Sequence, residues 1–156
     1  DSPYLTISGS QVAEPVKLSL NDMQNMGLRT FTFTGRNKLH DNARQTIVIT
    51  GVTLADLLAA AGVSGDAPTL KVICSDGFVK VYDLQSLLSG AYSYANSDEG
   101  QPVPAMIAVQ ENGAYYNQRE GNPFRLVMGQ ADWDNDETKD FNMQNWSKNI
   151  KELVID

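Results

Sequence analysis

The densest chemistry in this chain lies in Asp132-Trp133-Asp134-Asn135-Asp136-Glu137-Thr138-Lys139-Asp140, where five acids and one base leave a local charge of −4. Asp132, Asp134 and Asp136 alternate and Asp140 follows, a spacing of hard oxygen ligands that can fold around Ca²⁺. The central Gly and the bidentate Glu of an EF-hand loop are missing, and a solvated acidic loop is the competing reading. His40 sits in the polar run Lys38-Leu39-His40-Asp41-Asn42. An imidazole with an ordinary pKa of ~6.5 can act as acid or base, yet no nucleophile motif adjoins it, and an exposed loop residue is the simpler reading. Cys74 is the one cysteine, so no internal disulfide forms. It falls in an apolar alternating run and reads as core. With a single histidine beside it, the chain lacks the four Cys or His of a structural zinc site. Arg125 either meets an anion or bonds to carbonyls or an acidic neighbour. Arg36 and Lys38 add two cations after a strand. Trp133, Trp146, Tyr92, Tyr94, Tyr115 and Tyr116 supply aromatic surface for a pocket or the core. Tyr115 and Tyr116 are consecutive, so at most one of them faces a pocket.

The whole chain bounds these readings. Its 156 residues suffice for one domain with a sizeable core. It is 42% hydrophobic and 20% charged, with a net charge of −7 and a mean hydropathy of −0.31. Disordered, collagen-like and membrane-embedded chains have other compositions. No run approaches the ~20 apolar residues of a membrane-spanning helix. Nucleic-acid binding needs a basic footprint, which this chain lacks. The Asp1 start is not an initiator methionine, so a removed leader or a trimmed end is expected.

Tyr4 to Gly9 alternates and ends at a glycine turn, and Val16 to Leu20 alternates again. Asn21 to Gly27 reads as a short helix with an Asn or Ser cap and a Gly stop. Arg29 to Thr34 and Gln45 to Thr50 are β-branched and aromatic in period two, hence strands. Thr53 to Gly62 is the clearest helix. Thr53 caps it, Asp56 makes an acidic variant of the capping box, Leu54, Leu57, Leu58 and Ala61 form one apolar face, and Gly62 ends it. Leu70 to Cys74 and Phe78 to Tyr82 flank Asp76-Gly77 as a hairpin. Asp83 caps a helix through Leu88, and Asn96 to Gly100 is a polar loop. Met106 to Val109 is a strand, Asn112-Gly113 a tight turn, Phe124 to Met128 a strand, and Ile150 to Ile155 a closing strand. Many strands with three short helices, not in strict β-α-β alternation, define an α+β fold. No internal repeat is visible, so residues 1–156 read as a single domain.

Taken in order, these pieces resemble the sulfite-oxidase-type oxidoreductase molybdopterin-binding domain family. Gly51-Val52-Thr53-Leu54-Ala55-Asp56-Leu57-Leu58 with Ala61-Gly62-Val63 is similar to its GVPL-x-DLL-x-x-AGV helix. Cys74-Ser75-Asp76-Gly77-Phe78 resembles its S-A-D-G-Y turn. Ala108 to Gly113, then Gly121-Asn122-Pro123-Phe124-Arg125-Leu126-Val127, resembles its A-x-x-x-NG and G-G-P-x-R-L-V segments. Trp146-Ser147-Lys148-Asn149-Ile150 resembles its closing tryptophan strand. The likeness runs from about Leu5 to Ile155 and implies an α+β fold with mixed sheets.

The resemblance also implies a site. Enzymes of this family hold molybdenum through a cysteine thiolate before the GV-x-L helix. Soft thiolate ligation suits that role. The matching stretch in this chain is Thr32 to Asn37, with Thr34 about where the ligand stands, and a hard hydroxyl is a poor substitute. The family's usual His before the G-x-P-x-R glycine is Glu120, and its Lys before the closing Trp is Asn145. A carboxylate there repels a phosphate. The implied cofactor contacts are Thr34, Arg36, Asn37 and Arg125.

Three functions follow. The first is a family member without molybdenum catalysis, exported to the periplasm or cell surface by analogy, that binds a small anionic or polar ligand or a redox partner protein. The second is a molybdopterin-dependent oxidoreductase with unusual ligation. The third is a calcium-stabilised surface protein that uses Asp132, Asp134, Asp136 and Asp140. None involves nucleic acid or membrane insertion.

Overall fold

Strand β1 (Tyr4–Ser8) and strand β10 (Ile150–Ile155) come from opposite ends of the chain and run parallel, with Ile7 opposite Leu153. The structure is a computed structural model that describes residues 4–36, 44–91, 102–116, 124–130 and 142–156. β2 (Val16–Ser19) pairs antiparallel with β1. β5 (Thr69–Cys74) pairs antiparallel with β10, and β6 (Val79–Asp83) with β5. The first sheet therefore runs β2-β1-β10-β5-β6. Its inward set, Leu5, Ile7, Leu70, Val72, Leu153 and Ile155, is fully buried, as period-two alternation requires when one face meets the core.

The second sheet runs β3 (Arg29–Arg36), β4 (Arg44–Thr53) and β7 (Met106–Glu111). The far edge of β7 is shared by β8 (Ala114–Tyr115) and β9 (Arg125–Val127). A register slip between β4 and β7 sets Thr50 opposite Gln110 but Gly51 opposite Ala108. Val109 is thus the extra residue of a bulge. A Cβ at Gly51 would lie 2.1 Å from Ile107 O, so only glycine fits this crossing.

Three α-helices among the described residues cap strand ends. α1 (Leu20–Met26) starts at a full capping box: Ser19 Oγ accepts from Asp22 N–H, and the Asp22 carboxylate accepts from Ser19 N–H. α2 (Leu54–Ala60) starts with Thr53 Oγ1 accepting from Asp56 N–H, and Gly62 follows at φ +74. α3 (Leu84–Leu88) is capped by Asp83. The main core gathers Met23, Leu54, Leu57, Leu58, Leu84 and Leu87 from these helices with the inward faces of both sheets. A second cluster, Phe33, Ile47, Ile49, Met106, Ala108 and Val127, lies on the other face of the second sheet. Its central strand is buried on both faces, which explains the unbroken apolar run Met106 to Val109.

The elements differ from the sequence reading mainly at their ends. Leu20 belongs to α1, because Ser19 already serves as its cap. β4 continues three residues past Thr50, because β7 pairs it as far as Thr53. β9 is shorter than Phe124 to Met128. The loop at Asn96 to Gly100 lies outside the described residues. The fold is α+β, as the composition of elements predicts.

Candidate functional site

The turn at Asn112-Gly113, with φ of +51 and +85, folds β8 back on β7 in the hairpin geometry that two left-handed residues allow. Tyr116 follows and its N–H donates to Val109 O. β9 sets Arg125 opposite Ala108. Glu111, Tyr116 and Arg125 thereby meet. Arg125 Nη1 is 3.2 Å from Glu111 Oε1, and Tyr116 donates its hydroxyl to the same oxygen at 3.2 Å. The guanidinium carbon is 4.3 Å from the Tyr116 ring centre, within cation–π range. Burial, reinforced by the Glu111 charge, pushes the Tyr116 phenol far above its ordinary pKa. Tyr115 turns the other way and is exposed; Gln24 donates to its hydroxyl.

A cleft of about 340 Å³ opens beside this cluster, lined by Gln45, Thr46 and Ile47 of β4, by Glu111, Asn112 and Arg125, and by Met143, Trp146 and Lys148. Trp146 is held by donation from Nε1 to Met128 O at 2.8 Å and by an edge contact to Phe33. Two cations, one carboxylate and an indole make a site that can bind a small polar or anionic group. Among the described residues, no cysteine or histidine lines it.

The register separates the expected contacts. Thr34 lies opposite Thr46, on the face away from Phe33 and Ile47, whereas Arg125 shares the face of those residues. Thr46 borders the cleft; Thr34 does not. Arg36 ends β3. Asn37, Lys38, His40, Tyr92, Tyr94, Glu120, Trp133, Asp132, Asp134, Asp136 and Asp140 lie outside the described residues. Among the described residues no group of three or more His, Cys, Asp or Glu gathers to hold a metal.

A second polar cluster was not legible in the sequence. Tyr82 donates its hydroxyl to Asn145 O at 2.5 Å and lies 2.6 Å from Ser147 Oγ. The carbonyl has no proton to give, so Tyr82 donates to it and Ser147 donates to Tyr82. Burial pushes the Tyr82 phenol up to about 12, against the lowering effect of the Ser147 bond. This knot ties β6 to the segment before β10. Asn145 enters it by its backbone oxygen, which any residue type supplies, so residue identity carries no signal of it.

A molybdenum centre of the thiolate-held type needs an accessible, deprotonated cysteine. Cys74 ends β5 in the first sheet, is 2% exposed within the main core, and has its thiol pKa raised by burial and by Asp76. The chain's single thiol therefore does not fit that role. Arg125 and Lys148 supply positive charge for an anionic group, with Glu111 offsetting one of them.

Two mixed-order sheets, short capping helices and a polar cleft beside the strand that carries Arg125 define a sulfite-oxidase-like α+β domain. The chain belongs to the oxidoreductase molybdopterin-binding domain family, whose model matches residues 2–131. Its fold is similar to that of the sulfane dehydrogenase SoxCD from Paracoccus pantotrophus, with a TM-score of 0.66 at 20% identity. That likeness covers 98% of this chain and 38% of the other, so the chain spans well under half the length of that relative. No curated protein matches the chain in sequence.

Proposed function

We propose that this domain is a member of its family without molybdenum catalysis, working outside the cytoplasm as a ligand-binding or redox-accessory module. The observation that carries the reading is the position of Cys74: the one thiol is sealed in the core of the first sheet, away from the Arg125 cleft. Threonine stands where the family resemblance places the ligand, and a hydroxyl does not ligate molybdenum as a thiolate does. The cleft retains Arg125 and Lys148 beside an indole, which suits a small anionic or polar molecule. A redox partner protein docking over this cleft is the accessory form of the same reading. The extracytoplasmic placement rests on family analogy, and fractionation of native cells tests it.

Elemental analysis for molybdenum and tungsten tests the central statement, on protein made with molybdopterin synthesis intact. Neither metal is expected above trace. A stoichiometric amount of either would overturn the reading in favour of an oxidoreductase with unusual ligation. Thr34→Cys adds a second arm. A domain without a molybdenum centre keeps its metal content unchanged in this variant, and a rise in molybdenum would place residue 34 at a working metal site.

A further inference from the structure

Among the described residues, β6 ends the first sheet and pairs with β5 alone. The two ends of that ladder give its phase. Cys74 N–H donates to Phe78 O at 2.8 Å, and Leu84 N–H donates to Pro68 O at 3.0 Å. Hydrogen-bonded pairs alternate along an antiparallel ladder, so Lys80 and Tyr82 also turn their backbone groups toward β5. Val79, Val81 and Asp83 turn theirs outward. The same edge holds Phe78 at 60%, Val79 at 48% and Val81 at 62% exposure, three of the five large exposed hydrophobic residues among those described. Natural edges are commonly blunted by charge, proline or a bulge; this one carries Lys80 and Asp83 but neither proline nor bulge, and Val79 and Val81 hold outward positions.

We propose that this edge joins two copies of the chain, β6 pairing antiparallel with β6 of a second copy about a two-fold axis at Val81. The register follows from parity and charge. Residues opposite each other must share a face, so the axis passes through a residue. An axis at Val79 or Tyr82 runs the pairing into the Gly77 turn or into α3. An axis at Lys80 sets lysine against lysine in a non-hydrogen-bonded pair, the closest kind, where like charges destabilise. An axis at Val81 pairs all five residues of β6. Val81 then meets its counterpart with outward N–H and C=O groups on both strands, and Val79 meets Asp83. Lys80 faces Tyr82 of the other copy, extending the contact its ammonium already makes 5.3 Å above its own Tyr82 ring. The result is one ten-stranded sheet across two chains. One short strand per copy places the contact below about 1,200 Å², so the association is concentration-dependent. It is independent of what the Arg125 cleft binds.

Sedimentation equilibrium over a wide concentration range tests the association, and cysteine placement tests the register. Wild type is expected to dimerise reversibly. Val81→Lys, at an exposed position that the fold tolerates, is expected to remain monomeric by placing two ammonium groups at the axis. Paired Cα atoms at the axis lie ~5.5 Å apart, inside the ~4.4–6.8 Å disulfide range. Val81→Cys is therefore expected to cross-link under mild oxidation. Val79→Cys is not, because its two copies lie about four residues apart along the strands, ~14 Å at ~3.4 Å per residue. A wild type that stays monomeric throughout, a dimer indifferent to Val81→Lys, or cross-linking at Val79→Cys equal to that at Val81→Cys would each overturn the proposal.

Discussion

Arg125 and Glu111 meet from neighbouring strands, Nη1 to Oε1 at 3.2 Å, at the wall of the cleft that also holds Lys148 and Trp146. Both side chains are about a third exposed, so their pairing is worth only ~0–1 kcal/mol. Glu111→Gln should therefore leave the melting temperature nearly unchanged while freeing the guanidinium for another anion. Titration calorimetry with sulfate or phosphate should show tighter binding than wild type, and Arg125→Ala should abolish it. Equal affinity in Glu111→Gln and wild type would mean that Arg125 serves only to brace Tyr116.

Cys74 should be chemically silent in the folded protein. Burial raises its thiol pKa and leaves it 2% exposed, and both effects suppress the reactive thiolate. A colorimetric thiol reagent should label it at a rate set by unfolding, and at once in denaturant. Fast labelling of the native protein would show a thiol within reach of a metal and would weaken the non-catalytic reading.

The Tyr82 knot should matter to stability in a pH-dependent way. Tyr82→Phe leaves Ser147, 4% exposed, without its partner, a loss of ~1–3 kcal/mol. The folded pKa of about 12 exceeds the ~10 of an unfolded chain. The unfolded chain thus loses this proton first as pH rises. The contribution is full below pH ~10 and is lost as pH climbs toward 12. Denaturant melts across that window should converge for wild type and Tyr82→Phe; a constant gap would show that ionisation of Tyr82 is not coupled to folding.

Two glycines should respond differently to alanine. At Gly51 the new Cβ meets the backbone of Ile107 and Ala108, which cannot move without shifting β7. Overpacking of this kind costs ~1–3 kcal/mol or more, so Gly51→Ala should lower the denaturation midpoint sharply or prevent folding. At Gly62 nothing lies within 4 Å, and only the φ of +74 is strained. Gly62→Ala should cost ~1 kcal/mol, the usual preference for glycine at a left-handed position.

The local grammar of the chain was legible without a structure. Thr53 and Asp83 are the caps that the sequence predicts, Asp76-Gly77 and Asn112-Gly113 are the hairpin turns, and the alternating runs are the strands. Each depends on interactions within a few residues, so residue type and period suffice. The five family-like segments, in order, also pointed to the family that the chain belongs to.

Residue order thus specifies the elements and the family, while the meeting of their side chains is settled by long-range pairing. β10 enters between β1 and β5 across nearly the whole chain length, and no local period encodes that. Thr34 and Arg125 belong to one expected site, yet strand register sets them on opposite faces of the second sheet. The bulge at Val109 brings Glu111 onto the face of Arg125. A single-residue slip inverts every side chain beyond it, so the composition of the cleft depends on pairing between distant strands rather than on any motif within one.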